Sequence, residues 1–119
     1  MYLKMYLALM VDYDSPIVLS WHYNLTGTYS NWWTDSEKDA FYEVIKGYNV
    51  LGIFLGHWHY SYTSEWHNIP VYGIGGSEFA KGTIIDNKLI VIYYDGSGPA
   101  DVPFVPESQT DFPQGYDPC

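Results

Sequence analysis

Two histidines one residue apart end an apolar run: Gly56-His57-Trp58-His59 follows Val50 to Leu55. On an extended strand residues i and i+2 share a side and lie roughly 6–7 Å apart, so His57 and His59 can aim at one ion or at two neighbouring ions. Trp58 would face the other way, and Gly56 removes a side chain where the backbone must approach whatever is bound. A third histidine, His22, directly follows another β-rich run, Ile17 to Trp21. In sheets flanked by helices, ligands collect outside the carboxyl ends of strands, where loops open the core to solvent. Imidazole suits zinc, iron and other divalent ions. Two arrangements stay open from the residues alone. Three imidazoles can hold one zinc, with a water in the fourth position that becomes hydroxide near neutral pH; or they can form part of a larger two-metal site. The plain alternative is packing, because a chain with 13 Tyr and 5 Trp scatters histidines among its aromatic residues. The fourth histidine, His67, lies in the polar stretch Ser64 to Asn68 and reads as an exposed or hydrogen-bonded residue rather than a ligand.

The elements that would position these residues follow from periodicity and caps. Leu3, Tyr6, Leu7 and Met10 recur at helical spacing among strong helix formers, which predicts a helix over residues 1–11. It begins at Met1 without a capping residue, as a helix cut in its middle would. Asp12 to Ser15 form a polar turn, and Pro16 opens the strand Ile17 to Trp21, apolar on both faces and so expected in a sheet covered on two sides. A loop rich in Tyr, Thr, Ser and Gly occupies Tyr23 to Trp33. Thr34-Asp35-Ser36-Glu37 has the form of a capping box. Behind it Ala40, Phe41, Val44, Ile45 and Tyr48 make one apolar face, with Lys38, Asp39, Glu43 and Lys46 toward solvent. Strands are expected at Val50 to Leu55 and Ile69 to Ile74, separated by a polar loop, Tyr60 to Asn68. Thr83 to Ile85 and Leu89 to Tyr93 flank Asp86-Asn87, a two-residue hairpin turn. From Asp95 to Cys119 the chain turns to Gly, Pro, Ser and acidic residues and reads as an extended acidic tail, wrapped along the domain by Phe104 and Phe112.

Composition bounds the partners. A chain of 119 residues supports one core. Its formal charge is -9, from 14 acidic residues against 5 basic ones. Counterion release from nucleic acid has no basic stripe to work with, and an anionic membrane surface would repel the chain. Neither nucleic acid nor membrane is an expected partner. A single cysteine, Cys119, permits no internal disulfide. The compartment is undetermined, although the sequon Asn24-Leu25-Thr26 is compatible with secretion.

The order PIVLSWHYNL, a helix, NVLGIFLGHWHY, NIPVYGIGGSEF and a closing hairpin resembles the C-terminal half of a calcineurin-like metallophosphoesterase, from about Tyr2 to Tyr94. The resemblance implies an α/β fold, half of a four-layer α/β/β/α sandwich, with a partial domain over 1–94 and a tail over 95–119. It implies a hydrolase of phosphate esters in which two divalent ions, such as iron, zinc or manganese, clamp the phosphate and the attacking hydroxide. Carried over, His22 and His57 would bind the second metal and His59 the first. The family also uses DxH, GDxxD and GNH[DE] segments, and none of these occurs in the chain. Imidazoles alone supply no negative charge to offset two divalent cations, so the chain by itself is expected to be inactive. The missing motifs would belong to an N-terminal half, upstream of Met1 or in a partner chain. Two other expectations compete with this one. One is a non-catalytic assembly module that keeps the half-fold and packs through its aromatic surface and acidic tail; the other is a mononuclear zinc hydrolase on His22, His57 and His59.

Overall fold

A computed structural model of the chain describes residues 8, 12–22, 25, 34–56 and 60–105. The elements run β1 (Ile17–Trp21), α1 (Asp35–Ile45), β2 (Val50–Leu55), β3 (Tyr62–Trp66), β4 (Ile69–Gly73), β5 (Phe79–Ile85), β6 (Lys88–Asp95) and β7 (Gly98–Ala100). The fold is mixed α/β, mostly strands, in two sheets with one bounded helix among the described residues. The helix expected over residues 1–11 lies outside the described residues except for Ala8, which is helical.

The first sheet has the order β1-β2-β4-β3. β1 pairs with β2 and β2 with β4 in parallel, while β3 closes one side antiparallel to β4. The parallel β1–β2 pair needs a crossover, and α1 supplies it. Its N-terminus is the capping box read from the sequence: the Glu37 amide donates to Thr34 Oγ1 at 3.1 Å, and the Thr34 amide donates to Glu37 Oε1 at 2.9 Å. Phe41 and Ile45 are the buried residues of the helix, and they meet Ile53, Leu55 and Val71 of the sheet in one core. Aromatic contacts extend this layer. The Phe41 ring lies edge-on to Trp21 at 4.9 Å and stacks with Trp66 at 5.8 Å.

The second sheet, β5-β6-β7, is an antiparallel meander. Asp86 and Asn87 both have positive φ, 51° and 63°, as a two-residue type I′ hairpin turn demands. This sheet packs on the face of the first sheet opposite α1. A Cβ on Gly52 would sit 2.7 Å from the Leu89 Cδ2, so the two sheets approach closely there. Tyr93, 4% exposed, places its hydroxyl between the carbonyl oxygens of Tyr62 and Gly73. The observed layers are therefore helix, sheet, sheet.

Two expectations are corrected. The stretch Tyr60 to Asn68 is not a polar loop throughout: Tyr62–Trp66 is a strand, with Tyr62, Ser64 and Trp66 buried and Thr63 and Glu65 on the other face. A two-residue turn, His67-Asn68, with φ of 51° and 64°, joins it to β4. Among the described residues β1 is not covered on two sides. Only Ile17, Leu19 and Trp21 turn toward the core; Val18 is 39% exposed, and the strand is an edge of its sheet. The opposite edge is covered, because the Thr63 amide donates to the Pro103 carbonyl at 2.9 Å and the Val105 amide donates to the Thr63 carbonyl at 2.7 Å. Val105 is buried there, so the early part of the expected tail is packed on the domain, with Gly98–Ala100 adding a third strand to the second sheet. Phe112 lies outside the described residues.

Candidate functional site

Because β1, β2 and β4 are parallel, their carboxyl ends open at one end of the sheet. Trp21 and Leu55 are the last paired residues of β1 and β2. His22 and Gly56 follow as the next step beyond that register. The Gly56 amide donates to the His22 carbonyl at 3.1 Å, which keeps the two chains side by side after the strands end. The His22 imidazole folds over the glycine: a Cβ at position 56 would stand 3.3 Å from His22 Nδ1. The exposed His22 ring thus packs on the residue that immediately precedes His57.

The third parallel strand joins the same ledge. The Ile74 amide donates to the Leu55 carbonyl at 3.1 Å, and the Gly75 amide donates to Ser61 Oγ at 2.8 Å. Ser61, 4% exposed, is the buried hydroxyl that fixes the chain leaving β4. Sequence reading missed Ser61, and nothing in Tyr60-Ser61-Tyr62 marks it out. The chain exits after β1, β2 and β4 are therefore tied laterally by backbone and by one side chain, a rigid base for ligands mounted on the following residues.

His57 and His59, the two ligands read from the GHxH segment, lie outside the described residues. Among the described residues no three His, Cys, Asp or Glu side chains gather into a group that could hold a metal ion. His67 is elsewhere: its turn precedes β4, at the opposite end of the sheet from His22. It is exposed, as the sequence predicts, and its ring stacks on Tyr42 at 3.9 Å with an interplanar angle of 14°. No described helix is long and apolar enough to cross a membrane.

Two tyrosines behind the ledge are perturbed. Burial pushes the Tyr72 phenol up. It pushes Tyr93 up further, with repulsion from Tyr62, Tyr72 and Glu78 adding to the effect. Both face the interface between the sheets rather than the strand ends, so they support the scaffold and are not poised as acids or bases at the ledge.

Comparison with known protein families, with curated proteins and with solved structures finds no match to the chain.

Proposed function

We propose that this chain supplies the late histidine ligands, His22, His57 and His59, of a metal-dependent phosphoester hydrolase built on a four-layer α/β/β/α core. The observation that carries the reading is the contact of His22 with Gly56 across the ends of two adjacent parallel strands, since Gly56 is bonded directly to His57. The helix–sheet–sheet order of the layers supports it as well, as does the fixed ledge formed by Ser61, Ile74 and Gly75.

The donor chemistry sets a condition on the reading. Three neutral imidazoles fit one zinc-like ion with open positions. They do not fit two divalent ions, whose charge calls for carboxylate donors that the DxH, GDxxD and GNH[DE] segments would bring and this sequence does not contain. A dinuclear centre therefore requires carboxylates from residues outside these 119 or from a second chain. Among the described residues β1 is an edge strand of its sheet, next to His22, and a further strand there would bring them.

The test is metal-dependent hydrolysis of bis(p-nitrophenyl) phosphate by the protein from its natural source, with bound metal counted on the same sample and the chain's intact mass measured through a GHWHY peptide. His59→Ala and His22→Ala should each lose metal and activity together. Unchanged hydrolysis in His59→Ala overturns the reading. A second reading, a non-catalytic assembly module, is favoured by the same edge position of β1 among the described residues and by the absence of the DxH, GDxxD and GNH[DE] segments from the sequence. It predicts unaltered folding in EDTA and no hydrolysis under any divalent metal.

A further inference from the structure

The two sheets part where β3 and β4 face β6 and β7, and they leave a cleft of about 340 Å³. Its shape follows from the residues around it. Tyr72 leans toward β2: its ring stacks on Phe54 at 5.1 Å, and a Cβ at Gly52 would stand 3.0 Å from its Cε2. On the other side its register partner is Thr63, a short side chain. Val91 lines the cleft from the second sheet, and Ala100, opposite Tyr93, is too small to fill it. The chain then crosses from one sheet to the other. Pro103 and Val105 are hydrogen-bonded to Thr63, so Asp101 and Val102, between Ala100 and that anchor, form the outer wall.

The polar groups here are few, and one is already committed. The Tyr93 hydroxyl donates to the Tyr62 and Gly73 carbonyls, which leaves its ring as the part that lines the cleft. Burial pushes the Tyr72 phenol up, so this ring is uncharged at neutral pH. Among the described residues that line the cleft, Asp101 is the one charged group, and it is exposed. Apolar walls with a carboxylate at the rim select a molecule of the opposite pattern, an apolar body with one cationic head. The formal charge of -9 disfavours an anion. The volume lies at the small end of the range for ligand sites, which suits one ring and a short arm rather than a nucleotide.

We infer that this cleft binds an arylalkyl amine, its ring against the side of Tyr72 that faces Thr63 and its ammonium beside Asp101. Ring contact with Tyr72 supplies affinity and the carboxylate supplies the choice of charge. β1 and β3 are opposite edges of the first sheet, so the cleft stands three strand spacings, about 14 Å, from β1 and its neighbour His22. It is a second site, independent of any metal at the strand ends.

The probes are phenethylamine, its neutral counterpart phenethyl alcohol and the anion hydrocinnamate, each titrated into the full chain and followed by amide NMR shifts. The amine should saturate at one per chain, perturb the amides of Thr63, Tyr72 and Val102, and bind about fivefold tighter than the alcohol, the effect of one exposed ion pair. Hydrocinnamate should bind weakest. Asp101→Asn should erase the preference for the amine and leave binding of the alcohol intact. Thr63→Leu, which fills the cleft, should abolish binding of both; should it fail to fold, Asp101→Asn still decides, because Asp101 is exposed. Absence of saturation, equal affinity for the amine and the anion, shifts confined to other residues, or an amine preference unchanged in Asp101→Asn overturns the inference.

Discussion

The ring of Tyr62 occupies the space that a side chain at Gly73 would need, directly across the antiparallel pair of β3 and β4. Tyr62 is 1% exposed and has nowhere to move. Gly73→Ala is therefore an overpacking mutation, expected to cost about 1–3 kcal/mol. Urea unfolding should show a lower midpoint at an unchanged slope. Gly76→Ala is the control: a Cβ there meets nothing, and its effect should stay within about 0.5 kcal/mol.

Tyr93 ties the sheets together through one hydroxyl, 3.0 Å from the Tyr62 carbonyl and 2.9 Å from the Gly73 carbonyl. Tyr93→Phe keeps the ring and removes the donor, so about 1–2 kcal/mol should be lost. The phenol also gives a pH signature. Its folded pKa is raised above the ordinary value of 10.0, first by burial. A group raised in the folded state contributes stability that is whole below its unfolded pKa and lost as pH rises through the folded one. The parent protein should lose stability above about pH 10, and Tyr93→Phe should lose less over the same range. An identical alkaline decline in the two proteins would exclude Tyr93 as its source.

The capping box predicts a third outcome. Thr34→Ala leaves the Glu37 amide without its acceptor and should cost about 1 kcal/mol, read as a lower melting temperature. Glu37 is held below its ordinary carboxyl value, first by the hydrogen bond from the Thr34 backbone amide. A depressed carboxylate contributes stability that is present above its unfolded pKa and lost as pH falls through the folded value. Glu37→Gln should therefore flatten the acid limb of the melting curve.

Sequence reading found the elements whose signals are local. Thr34 and Glu37 announced α1, and Asp86-Asn87 announced the β5–β6 hairpin through the turn's need for positive φ. It missed β3 because Thr63, Ser64 and Glu65 are polar, and only the spacing of Tyr62 and Trp66 carried the period of two. The His67-Asn68 turn, the counterpart of Asp86-Asn87, was hidden in what looked like a loop. β1 misled in the other direction: an apolar run shows what a strand could bury, not whether anything lies on both sides of it. His22 was legible as a strand-end histidine. Its contact with Gly56 was not, because that depends on the parallel register of β1 and β2, which is a long-range fact.

That contact allows the metal reading to be tested at a residue that could not itself be a ligand. A Cβ at Gly56 would stand 3.3 Å from His22 Nδ1, closer than ordinary side-chain contacts, so the imidazole must shift by a few tenths of an ångström. His22 is exposed, and Gly56→Ala should change stability by less than about 1 kcal/mol. Metal ligation is less forgiving, because coordination requires positions held within about 0.5 Å. If His22 and His57 serve one ion, Gly56→Ala should weaken zinc or manganese binding by roughly 10-fold or more, the size of effect expected when a ligand's support is disturbed. Isothermal titration of the natural protein, stripped of metal and reloaded, reads this directly, with circular dichroism confirming an intact fold. Full metal affinity in Gly56→Ala, together with full affinity in His22→Ala, would remove His22 from the ligand set and leave the ledge a structural feature of the sheet.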